Sequence, residues 1–571
     1  MNKTSVRAEL VSRFYAKNHC NFFTALIISM LSGTTGPIVS WILKGIIDLM
    51  SGQGHYTLQQ MAMMCIGFTV FTLMLTVINY HSEPRFVSRA MRQFKDRAFC
   101  ILSKKNIASF RQEETSTYLS ALTNDATSIE TDYVASVLPI VSETVSLVVS
   151  VALMLYYSPA LTAVAVLITV IPASISAVMG RKMAKAQKAV SDRNTDFVAT
   201  ITDCLGGFQV IKSFRAEKEA YKIFESGDRK LEDTKCHLRK ITGAAGALGA
   251  ISGAVAQFGV FLAGTYLVLN GKGVTAGSVL MFVNLMNFMV SPVSKLPKLL
   301  AGKKASSALI DKLSSALEKN ADTKGTLSVG TVGEAINFQN VSFAYDDKKE
   351  VLHDVTCSFL PGRSYAIVGS SGSGKSTLLN LLTSGDGKYG GSITIDGKEL
   401  SSVNIETLYD IMTVIQQNVF IFNSSIRDNV TMFRGFEKPV VDAALAQARL
   451  TELIEEKGDG YLCGENGKGL SGGEKQRISI ARGLLKKSRI LLADEITSSL
   501  DAKTSHEVIN GILDLDSMTR IVVTHSLEEQ TLKRFDEIIV LKNGTIEEKG
   551  DFKSLMENDG YFKALFTVAK S

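Results

Sequence analysis

The sequence predicts a helical membrane domain followed by a soluble α/β domain. Hydrophobic residues make up 46% of the 571 residues, and long uncharged runs are concentrated before about residue 300. From about residue 336 the pattern changes to short β-like runs, glycine turns and amphipathic helices. A chain of this length also favours more than one domain. We therefore expect a transmembrane domain over residues 1–317, a linker over 318–334 and a second domain over 335–571.

Six apolar runs, uncharged apart from Glu143 in the third, are long enough to cross a bilayer as helices, which needs about 20 apolar residues each. They cover residues 20–43, 56–80, 133–157, 161–180, 241–271 and 273–294. Buried helices of a large soluble protein are the weaker interpretation. The loops after the second and fourth runs are long and helix-like, so we expect these helices to extend into the cytosol. The extensions would turn back near 109–120 and 201–214.

The charges of the loops predict the orientation in the membrane. The N-terminal tail and the two long loops are rich in Lys and Arg, whereas the joint at 157–160 has neither and the joint after the fifth run has only Lys272. Lys and Arg accumulate on the cytoplasmic side of membrane proteins. We therefore expect a multi-pass membrane protein with both termini in the cytoplasm.

Cysteine usage and net charge disfavour several other classes. The seven cysteines are scattered without a CxxC pair, which argues against a disulfide framework or a zinc site. A formal charge of +6 is modest and lies largely in the loops, so nucleic acid is not an expected partner. The first apolar run is too long for a signal-peptide core.

Glu143 is the one carboxylate well inside a predicted span. A charge at the bilayer centre costs about 2.5–3.5 kcal/mol on insertion scales. Glu143 therefore either lines a cavity as a substrate or proton group, or lies near headgroup level, paired with a lysine or solvated. The second interpretation is favoured.

A glycine-rich loop follows a predicted strand at 365–368 and opens a helix. Its residues match the pattern GxxxxGK[ST] and are Gly369, Ser370, Ser371, Gly372, Ser373, Gly374, Lys375, Ser376 and Thr377. Glycines let backbone N–H groups wrap around phosphate oxygens, and the helix N-terminus adds a favourable dipole. Lys375 would reach the β- and γ-phosphates, and the Ser376 hydroxyl would bind Mg²⁺.

A second element of the candidate site lies downstream, where four apolar residues are followed by the acidic residues Asp494 and Glu495. This pattern predicts a buried strand whose final carboxylate, Asp494, holds Mg²⁺ directly or through water. Glu495 is then placed to polarise the attacking water as a general base.

Between these elements lies a second candidate phosphate-binding helix start. Leu470 is followed by Ser471, Gly472, Gly473 and Glu474, and then by an amphipathic helix. One nucleotide does not need two such helix starts on the same subunit. We therefore expect residues 471–474 to bind the nucleotide held by a second copy or a partner.

With these elements in this order after six spans, the chain resembles an ATP-binding cassette (ABC) half-transporter of the bacterial exporter (type IV) fold. The resemblance implies an α-helical transmembrane domain with six spans extended into cytosolic helices. An α/β P-loop ATPase domain with an antiparallel β subdomain would follow. It also implies that two ATP molecules lie between the phosphate loop and the signature motif, 470–474, of opposite subunits. The segments near 109–120 and 201–214 would be the coupling helices.

The resemblance assigns further residues to the nucleotide site. Tyr345 corresponds to the aromatic that stacks on adenine. Gln417, with Gln416 as a one-position alternative, corresponds to the glutamine that senses Mg²⁺. Asp501 lies in the loop that crosses the dimer, and His525 resembles the switch histidine that contacts the γ-phosphate. Glu465 would likewise contact the neighbouring membrane domain.

The expected function is ATP-driven transport of a solute across a bacterial inner membrane, with ATP and Mg²⁺ as cofactors. Export is the family default, and the dimer could contain two copies or a second half-transporter. An exporter-fold importer of a metal-chelate complex is the alternative. An ATP-gated channel is disfavoured because Glu495 and His525 are both present, and a soluble cassette ATPase would lack the spans. Lipids, drugs and hydrophobic peptides suit the spans equally well as substrates.

Overall fold

The computed structural model describes residues 5–111, 113, 115–318, 325–330, 333–345, 350–384, 389–416, 419–458, 460–496 and 502–570. The chain forms two compact units. The first contains Met1–Ser103 and Thr115–Glu318, and the second contains Lys104–Glu114 and Lys319–Ser571.

All regular secondary structure in the described residues of the first unit is helical. Its helices are α1 Val6–Arg13, α2 His19–Met50, α3 Leu58–Leu102, α5 Thr115–Leu122, α6 Asn124–Ser128, a π-helical turn Ile129–Ala135, α7 Val137–Tyr157, α8 Pro159–Gly206, α9 Phe208–Ser213, α10 Glu217–Leu269 and α11 Ala276–Glu318, with α4 Ile107–Arg111 belonging to the second unit. In the part of the chain that the structure describes, six helical segments are long and apolar enough to cross a membrane, which confirms the predicted spans.

The long helices extend well beyond a bilayer. Helix α10 has 53 residues, which is about 80 Å at about 1.5 Å per residue, against a hydrocarbon core of about 30 Å. The helices therefore extend beyond the membrane-spanning segments, as predicted, and the side of the membrane stays a prediction. The tight joint before α8 is explained by Pro159 in its first turn and by Ser158, whose hydroxyl accepts the Leu161 N–H at 3.3 Å.

Glu143 and Lys295 form an ion pair between α7 and α11. The Glu143 Oε1 lies 2.6 Å from the Lys295 Nζ, and the Ser291 hydroxyl donates to the other carboxylate oxygen at 3.4 Å. This is the lysine pairing that the second interpretation of Glu143 expected. Nearby, Gln257 on α10 donates to Asn287 on α11 at 2.8 Å.

The C-terminal end of α2 is tied to α7 and α11 by a polar network. The Lys44 Nζ lies 2.6 Å from Asp48 Oδ2, and Asp48 Oδ1 accepts the backbone N–H of Gly277 at 3.1 Å. The Lys44 ammonium also lies 4.8 Å from the centre of the Tyr157 ring, whose hydroxyl accepts from the Trp41 Nε1–H at 2.8 Å. Asp48 is buried, so this network is shielded from solvent.

The second unit contains two sheets. The strands are β1 Ile336–Ala344, β2 Glu350–Phe359, β3 Ser364–Gly369, β4 Gly390–Ile395, β5 Lys398–Glu399, β6 Met412–Ile415, β7 Ile490–Asp494, β8 Thr519–Val523, β9 Glu537–Lys542 and β10 Thr545–Gly550. One sheet is antiparallel, in the order β2-β1-β4-β5, and confirms the predicted β subdomain. The other has the order β10-β9-β3-β8-β7-β6 and is parallel except for β10.

Helices of the second unit follow or flank these strands. They are α12 Lys375–Ser384, α13 Ile405–Ile411, α14 Ile426–Thr431, α15 Lys438–Gln447, α16 Thr451–Lys457, α17 Gly472–Lys486, α18 Ala502–Leu513, α19 Glu529–Leu532, α20 Phe552–Glu557 and α21 Tyr561–Lys570, with short 3₁₀ turns at Leu400–Ser402 and Glu465–Gly467. The short helix α4 packs against α12 within this unit.

The parallel sheet is buried on both faces, which explains the continuous apolar sequences of its strands. Strand β8 pairs with both β3 and β7, through Ala366 opposite Val522 and Ala493 opposite Val522. The carboxyl ends of these three strands therefore meet at one edge of the sheet, where open α/β sheets bind their ligands.

Candidate nucleotide site

The glycine-rich loop connects β3 to α12 at this edge. Gly372 and Gly374 have φ angles of +77° and +98°, a region that side-chain-bearing residues rarely adopt, so glycine is required there. Residues 369–374 also lie beside the strand ends, and a Cβ on Gly369 would approach the Leu541 carbonyl oxygen to 2.2 Å. The Ser373 hydroxyl is buried and has no hydrogen-bond partner in the described chain, so the loop retains a free polar group.

Lys375 begins α12 and is almost fully buried. Its Nζ donates to the carbonyl oxygens of Gly369 at 3.1 Å and Ser370 at 2.9 Å. Burial lowers the pKa of Lys375, while the negative charges of Glu495 and Asp494 oppose that shift. Among the described residues no carboxylate forms an ion pair with this ammonium group, which suits an anionic ligand.

Ser376 and Asp494 are in contact although they are far apart in the sequence. The Ser376 hydroxyl donates to Asp494 Oδ1 at 3.0 Å. Burial raises the pKa of Asp494, the Ser376 hydrogen bond lowers it, and the neighbouring Glu495 raises it further. A hydroxyl and a carboxylate are the hard oxygen ligands that Mg²⁺ prefers, so this pair fits the expected ion.

Glu495 and His525 meet beyond the ends of β7 and β8. The His525 Nε2 lies 2.7 Å from Glu495 Oε1, and both side chains are partly exposed. Glu495 has a φ of +49°, which is unusual for a residue with a side chain and is typical of strained functional positions. Its backbone N–H donates to the Val523 carbonyl at 3.1 Å, which holds this conformation in place.

The segment 471–474 forms the start of α17. The Ser471 hydroxyl accepts the Glu474 N–H at 3.3 Å, and the Glu474 carboxylate accepts the Ser471 N–H at 2.7 Å. This reciprocal capping box stabilises the helix start, with Gly472 and Gly473 in its first turn. Among the described residues, no hydrogen bond or ion pair joins segment 471–474 to residues 369–377 of the same chain.

Tyr345 lies next to the phosphate loop. Its hydroxyl is 3.3 Å from the Thr377 hydroxyl, and its ring packs edge-on against Phe343 with centres 5.0 Å apart. The side chain is 64% exposed, so one face is available to a planar ligand. Gln417 and Asp501 lie outside the described residues. Gln416, which directly follows β6, is exposed.

The structure adds two supporting interactions that sequence reasoning missed. Gln476 on α17 is buried and donates to the Ile496 carbonyl, directly after Glu495. Arg482, which follows Gln476 on the same helix, donates to the carbonyl oxygens of Asn429 at 2.7 Å and Phe420 at 2.9 Å. Burial lowers the pKa of Arg482. Their only sequence signal is their spacing along the amphipathic helix that follows Gly473.

A phosphate loop facing an acidic strand end, carried on a chain with six spans, defines a membrane-embedded P-loop ATPase. Residues 22–293 match the family model described as ABC transporter transmembrane region, and residues 352–498 match the model described as ABC transporter.

Relatives and solved structures agree with these matches. An uncharacterized ABC transporter ATP-binding protein, YwjA of Bacillus subtilis (strain 168), is 31% identical over 480 residues, 81% of each chain. The ATP-dependent lipid A-core flippase of Haemophilus influenzae (strain 86-028NP) is 28% identical and covers 92% of this chain and 91% of its own length. The structure of a bacterial Atm1-family ABC exporter with ATP bound has a TM-score of 0.81 at 22% identity, covering 97% of this chain and 98% of that one.

The chain therefore belongs to the ABC transporter family, as a half-transporter of exporter type. The predicted family, fold class and activity, ATP hydrolysis coupled to transport across a membrane, are confirmed.

Proposed function

We propose that this chain exports a solute as a dimer in which each ATP lies between the phosphate loop of one subunit and segment 471–474 of the other. One observation supports the dimer: the chain has two phosphate-binding helix starts, at Lys375 and Ser471, and no hydrogen bond or ion pair joins them among the described residues. A second copy can serve as the partner, because this chain carries both Glu495 and His525, and a second half-transporter is the alternative partner. ATP favours the closed dimer because only that state offers the second set of contacts.

Each site residue has a role that its geometry supports. Lys375 would release the loop carbonyls and bind the β- and γ-phosphates. Ser376 and Asp494 would hold Mg²⁺, which neutralises phosphate charge when bound. Glu495 would accept a proton from the attacking water. His525 would orient the Glu495 carboxylate through the 2.7 Å hydrogen bond between them.

The remaining assignments follow the motif order. Tyr345 would stack on adenine from its exposed face. Gln417 and Asp501 remain proposed contacts to Mg²⁺ and across the dimer. We also propose that both termini are cytoplasmic, because Lys and Arg are concentrated in the tail and the two long loops. Segment 318–334 is the proposed linker.

Export is supported by the names of two relatives. One is the ATP-dependent lipid A-core flippase, and the other is the β-(1→2)glucan export ATP-binding/permease protein NdvA of Agrobacterium fabrum (strain C58 / ATCC 33970). Import of a metal-chelate complex is the alternative. Flux measured in vesicles whose nucleotide site faces the medium separates the two. ATP added outside should drive solute into such vesicles for an exporter and out of them for an importer.

The direct test is ATP hydrolysis by the purified chain in liposomes beside the variant Glu495→Gln. The substitution keeps the side-chain shape and removes the base, so we expect a loss of about 10²–10⁴-fold. Glu455→Gln on α16 is the matched control, since Glu455 is exposed and outside the site, and it should retain activity.

Two outcomes would contradict the proposal. A wild-type chain that binds ATP but does not hydrolyse it would refute the homodimer and require a second half-transporter. Hydrolysis that survives Glu495→Gln would refute the base assignment while leaving the dimer intact.

A further inference from the structure

A large basic groove lies on the first unit, between the corner that joins α1 to α2 and one face of α3. Its volume is about 1100 Å³. Six cationic residues line it, and Asp96 is the single carboxylate among its lining residues. The six cations of this basic groove are Arg13, Lys17, Arg85, Arg89, Arg92 and Arg97.

The corner that carries Lys17 is fixed against α3. The Asn18 side chain is buried and donates to the carbonyl oxygens of Phe14 at 3.2 Å and Phe86 at 3.0 Å. The Phe14 ring stacks on Phe94 with centres 5.2 Å apart. Because Phe86 directly follows Arg85 and Asn18 directly follows Lys17, the hydrogen bond from Asn18 to Phe86 holds Lys17 near Arg85 on α3.

Within the described residues, three of the six cations have no carboxylate partner. Arg13 and Arg97 share Glu9, and Arg92 lies 3.9 Å from Asp96. In the described part of the chain, Lys17, Arg85 and Arg89 form no ion pair within 4.0 Å, and all three are exposed. Like charges held together by a packed corner repel one another, so an anion between them is favoured.

The basic groove begins close to the point where the exposed apolar surface of α3 ends. The exposed apolar surface of α3 includes Val70, Leu73 and Val77 and ends at Tyr80. Arg85 follows Tyr80 by five residues, which is about 7.5 Å along a helix at about 1.5 Å per residue. The headgroup layer begins where the apolar surface ends, so this part of the groove adjoins both the headgroups and the apolar span.

We propose that the basic groove binds the phosphate of an anionic phospholipid, with Lys17, Arg85 and Arg89 around the headgroup. Guanidinium groups bind phosphate oxygens in a bidentate manner, and basic pockets between membrane helices are suited to acidic headgroups. The acyl chains would lie along the exposed apolar surface of α3. If both termini are cytoplasmic, as proposed above, this lipid belongs to the cytoplasmic leaflet. Lipid binding itself depends neither on the direction of transport nor on the assignments in the nucleotide site.

The test is native mass spectrometry of the full chain in detergent, titrated with phosphatidylglycerol or phosphatidylcholine. We expect the wild type to retain phosphatidylglycerol at concentrations where phosphatidylcholine is lost. The triple variant Lys17→Gln, Arg85→Gln, Arg89→Gln should bind phosphatidylglycerol about 10- to 100-fold more weakly, since each cation contributes to the attraction. A triple variant with three exposed lysines of the second unit replaced by glutamine, at Lys398, Lys438 and Lys553, loses the same charge and should bind like the wild type.

A charge-conserving variant guards against misfolding. Arg85→Lys with Arg89→Lys keeps the charge but removes bidentate geometry, so its affinity should lie between those of the wild type and the glutamine variant. ATP hydrolysis in phosphatidylcholine vesicles should survive in all these variants, which separates this proposal from a failure of the nucleotide site.

Three results would overturn the proposal. Equal phosphatidylglycerol affinity in the wild type and the glutamine variant would show that the groove does not bind the lipid. Displacement of the lipid by inorganic phosphate at equal concentration would identify a site for a free anion. Loss of the dimer in the glutamine variant, with lipid binding unchanged, would show that the groove is an interface between copies of the chain.

Discussion

The ion pair between Lys44 and Asp48 gives the sharpest test of how the first unit is stabilised. The side chains are 15% and 6% exposed, and their charged atoms lie 2.6 Å apart. The second oxygen of Asp48 accepts the Gly277 N–H at 3.1 Å, so one carboxylate joins α2 to α11. A Cβ on Gly277 would lie 2.4 Å from this oxygen, which shows how closely the two helices approach.

Replacing Asp48 with alanine leaves two groups without their partner. Breaking a buried ion pair by removing one partner costs about 3–5 kcal/mol, because the remaining charge is uncompensated. The unpaired Gly277 N–H adds to this cost by about 1–3 kcal/mol, partly offset by relaxation of the helix end. We therefore expect Asp48→Ala to lower the free energy of unfolding by at least about 3–5 kcal/mol.

A double variant separates the charge from the packing. Lys44→Met with Asp48→Asn removes both charges and keeps an acceptor for Gly277, so it should be less destabilised than Asp48→Ala. Because the two residues are in direct contact, the effects of the single changes should fail to add by at least about 0.5 kcal/mol.

Unfolding can be followed by the fluorescence of Trp41, the single tryptophan of the chain, which belongs to the same network. The measurement is an unfolding titration in mixed micelles for the wild type, Asp48→Ala, the single variants Lys44→Met and Asp48→Asn, and the double variant that combines these last two. A double variant as unstable as Asp48→Ala, or an Asp48→Ala protein as stable as the wild type, would refute the buried-charge argument.

Three further predictions concern single residues. Burial raises the pKa of Asp494, so its ionised form destabilises the fold at pH values above that pKa. Asp494→Asn should therefore raise the melting temperature of the nucleotide-free protein at pH 7–8, and this gain should vanish below about pH 4. The same substitution should abolish ATP hydrolysis. Ser471→Ala removes a helix cap and should cost about 1 kcal/mol in a denaturant titration, whereas Ser471→Thr should not. Glu143→Gln should change stability by less than about 1 kcal/mol, since Lys295 is 60% exposed, and a larger loss would indicate a buried role for the pair.

The expectations that depend on local pattern were predictable from the sequence. Uncharged runs of sufficient length predicted the six spans, and the change to short apolar runs with glycine turns predicted the α/β unit. The positions of Gly372 and Gly374 predicted a loop that only glycine can form, and their positive φ angles agree with it. Each of these signals reports the backbone of one contiguous segment, which is why a single sequence reveals it.

The tertiary structure alone decided which distant side chains meet. Glu495 and His525 are in contact because β8 pairs beside β7, and no local pattern specifies that strand order. In the same way, Asp48 reaches Gly277 across 229 residues because α2 packs on α11. Local sequence determines periodicity and turns, whereas contacts between separate segments depend on how whole elements bury their apolar faces together.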